Sequence, residues 1–281
     1  MDSERKMNNI SKSEEDKETK NMKIGFIGLG NMASAIINGA AAAGYDKRSF
    51  AGTDISHEKA DALGIKKYDD ATSLIGGCDI IFIAVKPDNL DELLEEISEK
   101  AKGKAFVSIV AGKQTTQIQS MLKGARVLRV MPNTPLMVRE GAIVLSAQNN
   151  LTSEEFAYIQ AFLGSVGCVC ILDEKHMDAA TGLMGSGPAY AFVFIEALAD
   201  AGVKEGIDRK TAYKLAAQTI LGAGKMVLET GQAPAVLKDA VTSPSGTTAA
   251  GLYALEKAGF RAAVMNAVEA ATKRSRELSG S

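Results

Sequence analysis

Short runs of uninterrupted apolar residues recur between Met22 and about residue 173, and between them the apolar positions spread to helical spacing. The runs predict strands at 23–28, 49–54, 65–68, 80–84, 105–110, 126–130, 142–146 and 167–171. Ile80-Ile81-Phe82-Ile83-Ala84 is apolar throughout, as a parallel strand covered on both faces must be. The spread stretches predict helices at 31–43, 57–63, 88–101, 115–122 and 153–165. Strand and helix in alternation point to an α/β fold, a doubly wound and mainly parallel sheet that takes its ligand at the carboxyl ends of the strands.

After residue 173 the strand pattern stops. Helices are expected over Pro188–Ala201, Thr211–Glu229, Pro234–Val241, Thr247–Ala258 and Arg261–Ser279. Ala212, Leu215, Ala216, Ile220, Ala223 and Val227 form one apolar stripe at helical spacing. The region is rich in Ala and Gly, which bury little area per residue, so its core is expected to be completed by a second copy of the chain. The expected organisation is a disordered extension over 1–21, a sheet domain over 22–173 and an all-α domain over 174–281.

Composition narrows the partners. The 281 residues are 46% hydrophobic and 23% charged with a formal net charge of −2. That is a globular chain without the basic footprint of a nucleic-acid binder. No apolar run approaches the length of about 20 residues that spans a bilayer, so no membrane contact is expected. Residues 1–21 hold six acidic and five basic side chains, with Met1, Met7 and Ile10 as their large apolar residues, which suggests neither a signal core nor a docked segment. Cys78, Cys168 and Cys170 make no paired framework. Cys168 and Cys170 fall on one face of a strand and read as small buried hydrophobes, not as metal ligands, because His57 and His176 are the chain's two histidines. The expectation is a cytoplasmic protein without a metal.

Two stretches carry chemistry. The first is Gly28-x-Gly30-x-x-Ala33, which follows a predicted strand and opens a predicted helix. Gly28 makes the turn, Gly30 admits a pyrophosphate, and Ala33 lets helix and strand pack closely, which is how a dinucleotide is seated. A structural glycine turn is the bland alternative. The second strand ends at Gly52-Thr53-Asp54-Ile55-Ser56. An acid there suits NAD, whereas Thr53, Ser56, His57 and Lys59 suit the 2′-phosphate of NADP, so the residues leave the choice open. Ala84-Val85-Lys86-Pro87 closes the fourth strand where a cofactor would pass, and Val110-Ala111-Gly112 gives a small-residue edge after the fifth. Asn133, between Pro132 and Pro135, is an amide held in a rigid loop and is expected near the nicotinamide or substrate. Tyr190, after Gly182-Leu183-Met184-Gly185-Ser186-Gly187-Pro188, is either a proton donor or core packing.

The second stretch is Val241-Thr242-Ser243-Pro244-Ser245-Gly246-Thr247-Thr248, five hydroxyls around one Gly at the start of a predicted helix. Pro244 stops the preceding helix and Gly246 lets backbone approach a ligand. Helix N-termini favour anions, so this is a seat for a small carboxylate or, read alone, an ordinary hydroxyl N-cap. Tyr253-x-x-x-Lys257 mimics a dehydrogenase proton-relay pair, but its distance from the glycine turn makes it a coincidence.

Phe26-Ile27-Gly28-Leu29-Gly30-Asn31-Met32, Ala84-Val85-Lys86-Pro87, Met131-Pro132-Asn133-Thr134-Pro135, Gly185-Ser186-Gly187-Pro188-Ala189-Tyr190 and Leu237 through Thr248 together resemble the pyrroline-5-carboxylate reductase family. The resemblance runs from about Met22 to the last helix. It implies a Rossmann-like domain, an all-α dimerisation domain, and hydride transfer from NADPH, or NADH, to the C=N carbon of 1-pyrroline-5-carboxylate. It also implies that Ile27, Gly28, Leu29, Gly30, Asn31, Met32, Asp54, Ser56, Ala84, Val85, Lys86, Pro87, Val110 and Ala111 meet the cofactor. By the same resemblance Ser243, Gly246, Thr247, Asn133 and Ser186 hold the substrate, and Thr248 bonds the ring nitrogen. Ser245 stands where the family commonly has a second Gly, and Thr247 where it has Ala or Thr.

Two other readings remain at this point. A 3-hydroxy-acid dehydrogenase shares the glycine turn but resembles Gly-x-x-Gly-x-Gly-x-x-x-Lys at the interdomain helix, and here Ala191 stands at the Lys position. A catalytically silent NAD(P)-binding sensor would not need the hydroxyl-rich stretch.

Overall fold

The computed structural model describes residues 22–279, so the expected extension over 1–21 lies outside the described residues. Contacts gather the chain into two units, one running up to Gly185 and resuming at Thr272, the other Ser186–Ala271.

The first unit is built on β1 (Ile24–Ile27), β2 (Phe50–Thr53), β3 (Lys66–Lys67), β4 (Ile80–Ile83), β5 (Ala105–Ser108), β6 (Arg126–Pro132), β7 (Gly141–Ser146) and β8 (Gly167–Leu172), in the order β3-β2-β1-β4-β5-β6-β7-β8. The helices between them are α1 (Asn31–Ala42), α2 (Glu58–Leu63), α3 (Ala71–Gly77), α4 (Leu90–Ile97), α5 (Thr115–Met121) and α6 (Ser153–Gly164). Pairing is parallel except between β6 and β7, because the short Asn133–Glu140 connection cannot carry a crossover. Alternate strand residues serve opposite faces. Phe26, Phe82 and Val107 pack with α1, α2 and α6, whereas Ile27, Ile83 and Phe106 pack with α3, α4 and α5. The order reverses at β1 and β4, so the crevice for a ligand opens at the carboxyl ends of those two strands.

Four details differ from the sequence-based expectation. The helix α3 was not expected; Asp70 caps it by accepting from the Ser73 amide at 2.7 Å, in a segment too short and too Gly-ended to show a period. The third strand shrinks to two exposed lysines, charges that suit an unpaired sheet edge. Cys168 and Cys170 share a face as expected but are exposed, since β8 is the edge strand and its alternation leaves that face open; Cys78 is the buried thiol, and burial pushes it up to about 11. Compactness also places residues 174–185 with the sheet. There α7 (Met177–Ala180) buries Met177 and Ala180 against Met131 and Val144 and continues through a π-helical turn, Thr181–Gly185.

The second unit contains α8 (Gly187–Lys204), α9 (Arg209–Thr230), α10 (Pro234–Ala240), α11 (Thr247–Lys257) and most of α12 (Phe260–Ser279), close to the expected helices. Its buried core is small: Ala199, Ala212 and Ala216, with Ile195 and Val203 packed beside them. Of the expected stripe, Ala212 and Ala216 are buried while Leu215 is 53% exposed. Phe192, Val193, Leu228, Tyr253 and Met265 are exposed as well. The helical run Glu174–Lys204 is long and apolar enough, by length and composition, to cross a membrane. Charged and small polar residues interrupt it, so it holds no uninterrupted apolar run of about 20 residues. The last turns of α12 return to the first unit, where the Ser275 hydroxyl donates to Asp178 at 2.6 Å.

Candidate active site

The chain leaves β1 through Gly28, at φ +90°. A Cβ there would lie 2.6 Å from the Ala84 carbonyl oxygen, so glycine alone lets the ends of β1 and β4 close on each other. The Gly28 amide donates to the Thr53 carbonyl at 2.9 Å and ties in the end of β2. At Gly30, by contrast, nothing lies within 4 Å of where a Cβ would sit. Gly30 precedes α1, whose first turn no side chain caps. Open space over an uncapped helix N-terminus fits a pyrophosphate. Ala33 is fully buried, which gives the close helix–sheet approach. Ile27 and Leu29 are buried and Asn31 is exposed, with Met32 partly so. Ala84 and Val85 are half-buried beside the turn, while Lys86 and Pro87 are exposed.

At the end of β2, the Asp54 carboxylate accepts from the Leu29 amide at 2.7 Å, from the Ser56 amide at 2.9 Å, and from Lys59 Nζ at 3.0 and 3.2 Å. Burial pushes this carboxyl up, but the Leu29 and Ser56 amides and the Lys59 ammonium outweigh it and hold it below its ordinary range. Thr53, Asp54, Ser56, His57, Lys67 and Tyr68 line a shallow surface cleft there. Lys59, a donor suited to a 2′-phosphate, is not among the cofactor residues that the resemblance implies. It follows Asp54 by five positions, on the first turn of α2, and that spacing was the available signal.

After β5, Val110 is buried and Ala111 half-buried, and Gly112 turns at φ +81°. A Cβ on Gly112 would lie 3.1 Å from the Leu278 carbonyl oxygen, so the end of α12 backs this loop. Below it, Glu174 accepts from the Thr115 amide at 3.1 Å, the Thr115 hydroxyl at 2.8 Å, Arg129 Nη1 at 2.9 Å and the Ser146 hydroxyl. Burial would raise the Glu174 carboxyl; the bonds from Ser146, Arg129 and Thr115 hold it below the usual carboxylate range instead. Sequence reading missed this network, since its members are far apart along the chain.

Asn133, expected to face the nicotinamide or substrate, is 7% exposed and its amide is engaged in the fold. It donates to the Met184 carbonyl at 3.0 Å and accepts from the Ala142 amide at 2.8 Å. It thereby clamps the reversal into β7 to the π-helical turn. Tyr190 donates to the Ala267 carbonyl at 3.3 Å, the packing alternative of the two considered.

In the second unit, the Thr242 hydroxyl donates to the Lys238 carbonyl at 2.7 Å and the Gly246 amide to the Ser243 carbonyl at 3.1 Å. A Cβ at Gly246 would fall 2.3 Å from Ser243 Oγ. The Ser243 hydroxyl therefore packs over Gly246, and a side chain there would have to push it into another rotamer. Gly246 is extended and caps α11 without a side-chain bond, so Ser243, Gly246, Thr247 and Thr248 surround an open helix N-terminus. Ser243 and Thr247 are exposed and Thr248 is half-buried. Ser186 precedes α8, half-buried.

A family model for pyrroline-5-carboxylate reductase dimerisation matches residues 174–278, and a model for NADP oxidoreductase, coenzyme F420-dependent, matches residues 23–112. Pyrroline-5-carboxylate reductase of Arabidopsis thaliana is 44% identical over 268 residues, 93% of this chain and 97% of the plant protein. The chain belongs to the pyrroline-5-carboxylate reductase family. The Methanosarcina acetivorans enzyme of that name is 45% identical, covering 92% of this chain and 98% of its own. A solved structure of Plasmodium falciparum pyrroline carboxylate reductase with NADP bound superposes with a TM-score of 0.85 at 38% identity, over 92% of this chain and 99% of that one.

Membership in the pyrroline-5-carboxylate reductase family bears on Ser245. The resemblance places Gly there, and the structure gives the reason: Ser245 sits at φ +56°, in the left-handed region. The substitution keeps the turn at a cost in backbone strain.

Proposed function

We propose that this chain reduces 1-pyrroline-5-carboxylate to proline, taking hydride from NADPH. When bound, NADPH supplies the hydride from C4 of its nicotinamide, and the C=N carbon receives it while the ring nitrogen gains a proton. The open backbone at Gly30 and the first turn of α1 hold the pyrophosphate. Ala84, Val85 and Lys86 lie along its path, and Val110 and Ala111 give a smooth edge where the nicotinamide ribose passes. The amides and hydroxyls of Ser243, Gly246 and Thr247 take the carboxylate, with Ser186 as a further polar contact. Thr248 orients the ring nitrogen and donates or relays its proton. Asn133 contributes by fixing the loop after β6. A protonated imine is already electrophilic, so alignment is the main task and no strong base is required.

The observation that carries this reading is the Ser243–Thr248 turn, closed around Gly246 at the start of α11. The same reading makes the working form a homodimer. The match of residues 174–278 to a dimerisation family supports it, as do Phe192, Val193 and Met265, which lie exposed beside a very small core. It places the protein in the cytoplasm, a reducing compartment that suits the exposed free thiols of Cys168 and Cys170. The test is NADPH oxidation on addition of 1-pyrroline-5-carboxylate, with proline identified as the product. Turnover of 3-hydroxy acids without imine reduction would refute the proposal.

A further inference from the structure

We propose that Lys59 is the positioning residue that sets a preference for the 2′-phosphate of NADP(H) over the 2′-hydroxyl of NAD(H), and that it does so through Asp54. The inference rests on the dinucleotide half of the proposed function. An acid at the end of the second strand of such a fold recognises NAD by accepting from a ribose hydroxyl, and its negative charge repels a 2′-phosphate. Here that carboxylate is spoken for. A carboxylate offers about four acceptor directions. Oδ2 receives the Leu29 amide at 2.7 Å and Lys59 at 3.2 Å; Oδ1 receives the Ser56 amide at 2.9 Å and Lys59 at 3.0 Å.

The Leu29 amide belongs to the glycine turn itself, so Asp54 has a structural task wherever the cofactor's phosphates lie. That task keeps the acid in place, and Lys59 removes its charge and its last free acceptor positions. The Asp54 side chain is 8% exposed, so the neutralisation is weakly screened, while Lys59 is 43% exposed. The cleft beside the pair offers the Ser56 hydroxyl, His57 and Lys67, donors that suit a phosphate.

The test is calorimetric titration of the full chain with adenosine 2′,5′-bisphosphate and with 5′-AMP, probes that differ by the 2′-phosphate alone and need no turnover. The wild type is expected to prefer the bisphosphate at least tenfold. Lys59→Ala is expected to lose that preference by about tenfold or more, with 5′-AMP binding held or improved, because an uncompensated Asp54 repels the phosphate and accepts the hydroxyl. Lys59→Ala combined with Asp54→Asn is expected to recover most of the preference, since the Asn oxygen still accepts from the Leu29 amide and the side chain carries no charge, at the loss of the Ser56 bond. An unchanged preference in Lys59→Ala overturns the inference. So does a double variant as impaired as the single one, which would mean that Lys59 acts on the phosphate directly. Wild-type protein that binds neither probe would refute the dinucleotide reading itself, whereas imine reduction with no loss of preference in Lys59→Ala would refute this inference alone.

Discussion

Thr248 lies half-buried at the first turn of α11, and under the proposed function its hydroxyl serves the substrate's nitrogen and not the cofactor. Thr248→Ala is therefore expected to lower kcat by about 10²-fold while leaving NADPH affinity near wild type. A loss that grows with rising pH marks proton donation, and an even loss marks orientation. Thr247→Ala, which under the same proposal removes a carboxylate contact made in ground and transition states alike, should mainly raise KM. Ser245 presents a second test. Its left-handed backbone costs an L-residue about 1 kcal/mol, partly offset by the greater unfolded freedom of glycine. Ser245→Gly is thus expected to raise Tm by a degree or a few, read by calorimetry, with turnover kept. Glu174 decides the acid side of the stability profile. Its folded carboxyl lies below an unfolded value of about 4.3, so its contribution is complete above that pH and is lost as pH falls through the lower folded value. Glu174→Gln leaves Arg129, 2% exposed, without its counter-ion; a loss of about 3 kcal/mol is expected at neutral pH, with a flatter acid limb in urea unfolding.

Among the elements, α6 shows how a boundary is written locally and then used at long range. Thr152 accepts from the Glu155 amide at 3.2 Å, and Glu155 answers to the Thr152 amide at 3.0 Å, a reciprocal cap. The same Glu155 binds Arg126 at the start of β6 through 2.6 and 2.7 Å contacts. The cap can be read in Thr152-Ser153-Glu154-Glu155; the partner on β6 cannot. Thr152→Ala should cost about 1 kcal/mol, seen as a lower denaturant midpoint at unchanged m-value. The loop after β5 behaves similarly. Val110-Ala111-Gly112 was visible as a run of small residues, but the need for Gly at 112 comes from its positive φ and from the Leu278 backbone at the far end of the chain.

For the molecule as a whole, the contrast is between a sheet unit with a packed cluster on each face and a helical unit whose core amounts to a few alanines. Apolar surface left in water at that density is the usual mark of a subunit interface. Met265, 71% exposed on α12, gives the test: Met265→Glu is expected to shift sedimentation toward monomer and lower Tm in a concentration-dependent way. Unchanged sedimentation would place the interface elsewhere.

The doubly wound sheet, the glycine turn and the hydroxyl-rich start of α11 were legible along the chain, because periodicity and the steric habits of Gly and Pro act over a few residues. The tertiary structure decided which groups meet beyond their neighbours in the chain and which of them water reaches. It reversed β7, occupied the amide of Asn133 and exposed the thiols of β8. It also joined Glu174 to Arg129 and Thr115, and filled the lone pairs of Asp54 with the Leu29 amide and Lys59. A carboxylate's role is set by which donors reach it and by how far burial strengthens them, and neither can be read from its neighbours in the sequence.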